Sequence, residues 1–152
     1  PHLDPDCRGV FFGLSAMHSK YDMLRAVMEG VTYSLRDCLE VLRGMGIQPA
    51  EMLACGGGGS SPLWRQMLAD VFACPVKTVK SKEGPALGVA ILAGVGAGLY
   101  PSVQEACDAM IQTNPPQEPI PGNVPQYEKF YRVYASLYPA MREGFRALAK
   151  AE

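Results

Sequence analysis

Glu51-Met-Leu-Ala-Cys-Gly-Gly-Gly-Gly-Ser-Ser-Pro-Leu-Trp64 decides how the rest of the sequence reads. Its apolar start, Glu51 to Cys55, is too short for a helix and fits a strand buried on both faces. After the glycines, Ser61 fits a helix N-cap and Pro62 the first helical position, where a missing N–H costs nothing. Trp64, Met67, Leu68, Val71 and Phe72 then recur at helical spacing. Pro75 stops that helix, and Val76 to Val79 reads as a second strand. Strand, glycine turn, helix, strand is the order of a parallel sheet with a crossover helix.

Upstream, Leu24, Val27, Met28, Val31, Leu35, Cys38, Leu39 and Leu42 follow the i, i+3, i+4, i+7 rule of one long amphipathic helix. Ser19 and Asp22 form a capping box at its start, and Gly44, Gly46 and Pro49 stop it. Before it, Val10 to Leu14 is a candidate strand end. Downstream, Glu83-Gly84-Pro85 opens a helix to about Gly98. Its small row, Ala86, Ala90, Gly94 and Gly98, lies beside Leu87, Ile91 and Val95, and so little polar surface predicts burial with a close backbone neighbour. Ser102 and Glu105 cap a shorter helix to about Ile111. Five prolines between Gln112 and Pro125 mark a connector. The last helix carries Tyr127, Phe130, Tyr131, Tyr134, Tyr138, Met141, Phe145 and Leu148 on one side as a packing face, with a kink expected at Pro139.

These readings give an α/β fold class, helix-rich with few strands. Residues 1–111 are expected to be a partial nucleotide-binding domain, 112–125 a proline-rich connector, and 126–152 a helix packing on the same domain. Two strands are few for a parallel sheet, and the chain opens with proline, so it reads as the latter part of a longer α/β protein. An incomplete sheet leaves an apolar face and a bare strand edge, from which self-association or a dimer is expected.

The composition, 48% hydrophobic and 19% charged with a formal net charge of −1, argues against a basic nucleic-acid surface. Lys77, Lys80 and Lys82 are read as a solvated strand end. No run approaches the roughly 20 apolar residues of a membrane span, and no signal peptide is visible, so a cytoplasmic location and no membrane partner are expected. Cys7, Cys38, Cys55, Cys74 and Cys107 lack C-x-x-C spacing and read as buried thiols in a reducing compartment; with only His2 and His18 beside them, no metal site is assigned.

The glycines carry the chemistry. A strand ending in Gly56 to Gly59 brings bare backbone to the carboxyl edge of a sheet, where phosphates and flat heterocycles bind in open α/β folds. A P-loop is excluded because no lysine follows Gly59. Lys77 or Lys80 near the end of the next strand leaves an NADP site open, and a tight turn with no ligand is a further alternative.

The segment Gly56-Gly-Gly-Gly-Ser-Ser-Pro-Leu-Trp-Arg-Gln-Met-Leu-Ala-Asp70, followed by Glu83-Gly-Pro-Ala-Leu-Gly-Val-Ala-Ile-Leu-Ala-Gly94, resembles the carboxyl-terminal domain of FGGY-family carbohydrate kinases, and within them the xylulokinase branch. The opening Pro1 to Leu14 and Arg25 to Tyr33 match too, so the resemblance covers nearly the whole chain. It implies part of an actin-like, ribonuclease H-like ATPase domain, with ATP and sugar in a cleft between two α/β domains. It implies that Gly57, Gly58 and Gly59 form the adenosine-binding loop, with Ser60 and Ser61 flanking adenine or ribose, and that the helix from Ala86 lies at the domain hinge. The reaction implied is D-xylulose plus ATP to D-xylulose 5-phosphate plus ADP, with Mg²⁺ brought by the nucleotide. The catalytic aspartate, sugar site and phosphate motifs would lie in preceding sequence, leaving this chain inactive alone and without catalytic residues. Asp70 and Glu83 are assigned structural roles. Gly59 stands where relatives often carry alanine, which reads as a mild difference; Met17 and Ser19 stand where relatives often carry basic residues. A non-catalytic interaction or regulatory module of the same fold is the alternative.

Overall fold

The computed structural model describes residues 3–81 and 84–151. Its elements run α1 (Lys20–Gly44), β1 (Met52–Ala54), α2 (Gly56–Ser60), α3 (Pro62–Phe72), β2 (Val76–Thr78), α4 (Gly84–Gly96), α5 (Val103–Met110) and α6 (Val124–Ala151). They fall into two compact units: Gln48–Ile120 is one, and the stretches up to Ile47 and from Pro121 form the other. Pro1, His2, Lys82 and Glu83 lie outside the described residues, and with them the readings made on them.

In the Gln48–Ile120 unit, β1 and β2 pair in parallel, with Met52 opposite Val76 and Ala54 opposite Thr78. Parallel strands need a crossover, which α3 supplies. Ser61 Oγ accepts the Trp64 N–H as N-cap, Pro62 opens the helix, and Ala73 ends it in the left-handed region at φ 54°. Met67, Leu68, Val71 and Phe72 are buried as their spacing predicts, together with Val76 of β2. Each contributes roughly 1.5–3 kcal/mol of apolar burial.

The proline-rich connector is more than a link. Gln117 and Thr113 form antiparallel bridges to Val76 and Val79, so it pairs with the side of β2 away from β1. Asp70, 2% exposed, fastens its far end. One carboxylate oxygen accepts the Ile120 N–H at 2.7 Å and the Gln66 amide at 2.8 Å, and Gln66 also donates to Glu118 O. Prolines hid this pairing because they mark loops whether or not their neighbours dock.

Helix α4 departs from expectation. Its register is as read, but only Ile91 and Gly94 are buried, while Val89 and Leu92 are 68% and 62% exposed. An apolar helix is buried only where something covers it, and among the described elements α5 packs against it. Gly94 does take a close neighbour, but that neighbour is the Tyr100 ring, not a backbone: a Cβ there would lie 3.1 Å from Tyr100 Cδ2. At α5, Ser102 Oγ accepts the Glu105 N–H as read.

In the other unit, α1 starts at the capping box read from Ser19 and Asp22, and stops at Met45 and Gly46. Val10 to Leu14 forms no strand. The α1 face toward α6 carries Tyr33, whose ring lies 5.2–6.3 Å from those of Tyr127, Tyr131 and Tyr134. Arg36 sits over the Tyr131 ring at 4.8 Å and reaches Glu128 at 3.2 Å. Burial pushes the phenols of Tyr33, Tyr127, Tyr131 and Tyr134 up, so the cluster favours the neutral ring and its contribution to stability is lost as alkali ionises it. The stripe Leu24, Val27, Val31 and Leu35 is 43–62% exposed, and only Leu39 of the predicted face is fully covered. Part of that stripe walls a groove of about 1220 Å³ with Phe11, Phe12, Val133 and Met141. Helix α6 runs through Pro139, burying Phe145. Of the thiols, all free, only Cys74 is buried; Cys38 and Cys55 are exposed, contrary to the sequence reading. Periodicity placed them on faces that no neighbour covers.

Two measurements follow from these contacts. Tyr33 Oη is buried with no hydrogen-bond partner among the described residues. Tyr33→Phe removes an uncompensated hydroxyl and is expected to raise stability by about 1 kcal/mol in urea unfolding; a loss of stability would show that the hydroxyl is satisfied. Asp70→Ala strips the partner from the Ile120 N–H and is expected to cost about 2 kcal/mol in the same assay.

Candidate functional site

The glycine turn leaves β1 through Cys55 and Gly56, whose φ of +74° demands glycine. The sequence reads as a strand that turns through the glycines straight into a helix starting at Ser61. Instead, Gly56–Ser60 closes into a single helical turn, α2, before Ser61 breaks it at ψ 118° and α3 begins. Glycines are poor helix formers, at about 1 kcal/mol each relative to alanine, so contacts must hold this turn.

Those contacts come from β1, from α3 and from within the turn itself. Gly59 is buried against the end of β1: a Cβ there would sit 2.9 Å from Ala54 O. The Trp64 ring covers Gly58, whose added Cβ would lie 3.3 Å from Cε3. Arg65 Nη1 donates to Gly59 O at 2.7 Å, and Ser60 Oγ donates to Gly56 O at 3.3 Å. Gly57 differs from its neighbours. It is exposed, and a Cβ there would meet nothing within 4 Å. The turn therefore has a sealed side, Gly58 and Gly59, and an open side at Gly57.

The sequence-predicted residues Gly57, Gly58, Gly59, Ser60 and Ser61 are thus contiguous in one turn, but in different settings. The Ser61 hydroxyl is committed to the cap of α3, while Ser60 is exposed. Arg65 was missed by sequence reasoning; an arginine one turn into a helix carries no signal that it reaches back to a carbonyl. Lys77 pairs with Glu51 at 2.6 Å, and Lys80 Nζ reaches Gln112 at 3.4 Å, which suits a solvated strand end. Among the described residues no group of three His, Cys, Asp or Glu side chains could hold a metal ion, and no helix is long and apolar enough to cross a membrane.

The model of the FGGY family of carbohydrate kinases, C-terminal domain, matches residues 1–97. The chain belongs to that family. This FGGY domain is 38% identical over 143 residues to the xylulose kinase of Staphylococcus epidermidis, covering 94% of the chain and 29% of that protein. Among solved structures, the ligand-bound xylulose kinase from Lactobacillus acidophilus superposes with a TM-score of 0.88 at 30% identity, over 95% of this chain and 29% of that one. The gluconate kinase from Lactobacillus acidophilus superposes with a TM-score of 0.87 at 30% identity, with the same coverage. The chain therefore spans under a third of the length of the relatives it matches. Its fold class is α/β, part of an actin-like, ribonuclease H-like ATPase domain.

The geometry corrects the reading of Gly59 in this FGGY domain. Alanine there was expected to be mild, yet its methyl would press on the Ala54 carbonyl. Gly59→Ala is expected to lower stability by about 1–3 kcal/mol, whereas Gly57→Ala leaves it unchanged or raised. Thermal unfolding of the two variants beside the parent chain checks the contrast, and equal effects would contradict it.

Proposed function

We propose that this FGGY domain is the ATP-holding C-terminal part of a cytoplasmic sugar kinase that converts D-xylulose and ATP to D-xylulose 5-phosphate and ADP. The observation that carries the reading is the open backbone at Gly57, on a turn otherwise sealed against β1 and α3. A Cβ added at Gly57 would meet nothing within 4 Å, which leaves room at this point of the main chain for a flat adenosine. The likeness to xylulose kinase supports the choice of sugar.

In this reading the open backbone at Gly57 takes the adenosine half of ATP, Gly58 and Gly59 on the sealed side shape the turn behind it, and Ser60, whose proton goes to Gly56 O, offers its remaining lone pairs to adenine or ribose. Ser61, committed to its cap, acts by holding the turn. ATP supplies the phosphoryl group and carries Mg²⁺ on its phosphates, as the kinase family implies. A sugar hydroxyl attacks the γ-phosphorus, the bond to the β–γ bridging oxygen breaks, and a carboxylate takes the hydroxyl proton. That carboxylate is assigned to the rest of the kinase. Asp70 is buried and bonded to Gln66 and Ile120, with no route to a substrate. The chain alone binds nucleotide without transferring phosphate.

Calorimetric titration of the chain with ADP and ATP, with NADP as control, tests the reading. Saturable binding of both adenine nucleotides, weakened at least tenfold by Gly57→Val with no loss of thermal stability, is the expected result. A folded chain that ignores ADP and ATP, or prefers NADP, contradicts it.

A further inference from the structure

Arg65 lies one turn into α3, half-buried, and its guanidinium reaches back over the intervening residues to Gly59 O at 2.7 Å. No carboxylate pairs with it among the described residues. Gly59 is the residue pressed against Ala54 O, so the bond holds the turn at the point where it meets the sheet. A charged donor on a buried carbonyl makes a short and strong hydrogen bond, and its loss leaves that carbonyl unsatisfied.

We propose that Arg65 is a positioning residue for nucleotide binding: it latches the C-terminal end of the glycine turn and so fixes the open backbone at Gly57 that receives adenosine. The proposal rests on the reading of the glycine turn as the nucleotide site. The latch acts through the shape of the turn, not through contact with phosphate. Without it, the four successive glycines keep the Trp64 ring, the Ala54 contact and the Ser60 bond but lose their one charge-assisted restraint, and each glycine gains more conformational freedom on loosening than any other residue would. Lysine cannot replace it fully, since a single ammonium lacks the rigid planar fork.

The test has two arms on the 152-residue chain. In the first, amide hydrogen exchange is followed without ligand. Arg65→Met is expected to speed exchange of the Gly57 to Ser61 amides about tenfold relative to those of Met67 to Phe72, with Arg65→Lys between it and the parent. In the second, adenosine and ADP are titrated while emission is read from Trp64, the single tryptophan of the chain, whose ring covers Gly58. Arg65→Met is expected to weaken both ligands by the same factor of about ten, the usual weight of a charge-assisted hydrogen bond. A loss confined to ADP would make Arg65 a phosphate contact and overturn the positioning role. Unchanged exchange in a folded Arg65→Met chain would overturn the latch itself. If the parent chain binds neither ligand while exchange still rises in the variant, the nucleotide reading fails and Arg65 is left a purely structural residue, which also overturns the proposal.

Discussion

Parallel pairing of Met52–Ala54 with Val76–Thr78 is the constraint on which the Gln48–Ile120 unit depends. Two parallel strands cannot be joined by a tight turn, so the chain must leave the end of one and return to the start of the other. Helix α3 makes that return and buries Met67, Leu68, Val71 and Phe72 while doing so. To begin close enough to β1, it needs a junction in which main chain touches main chain. Gly59 against Ala54 O is that junction. The connector then completes the far side of β2, held by the Asp70 carboxylate.

The glycine turn shows how a poor local sequence becomes ordered structure. Nothing in four glycines favours a helical turn, and their freedom in the unfolded chain opposes it. Order comes from outside: the Trp64 ring, the Arg65 guanidinium, the Ala54 carbonyl and the Ser60 hydroxyl each restrict one part of the turn. Because these neighbours lie on its sealed side, the other side stays bare. The bare side at Gly57 is thus a by-product of the contacts that hold Gly58 and Gly59.

Much of this was legible in the sequence where the signal was local. Ser19 with Asp22, Ser61 with Pro62, and the spacing of Met67 to Phe72 each placed an element to within a residue or two, because caps and periodicity act over one or two turns. The reading ran out where the outcome depended on what covers a surface. Leu24, Val27, Val31 and Leu35 have the pattern of a buried stripe, and α4 has the composition of a buried helix, yet both remain largely exposed. Val10 to Leu14 has strand composition but finds no partner. At the candidate site, the glycine run and the turn it makes are legible in the sequence, but the asymmetry between Gly57 and Gly59 and the reach of Arg65 are matters of three-dimensional approach that no spacing encodes.

The Gln48–Ile120 unit interrupts the other in sequence, and this sets an order of events during synthesis. Tyr33 emerges from the ribosome long before Tyr127, Tyr131 and Tyr134, the rings it meets in the finished protein. Tyr33 of α1 must therefore wait for its ring partners until the whole of the intervening unit has been translated. That unit is continuous in sequence, so it can close first. Pairing of α6 with α1 is thus a long-range step that follows translation of everything between them.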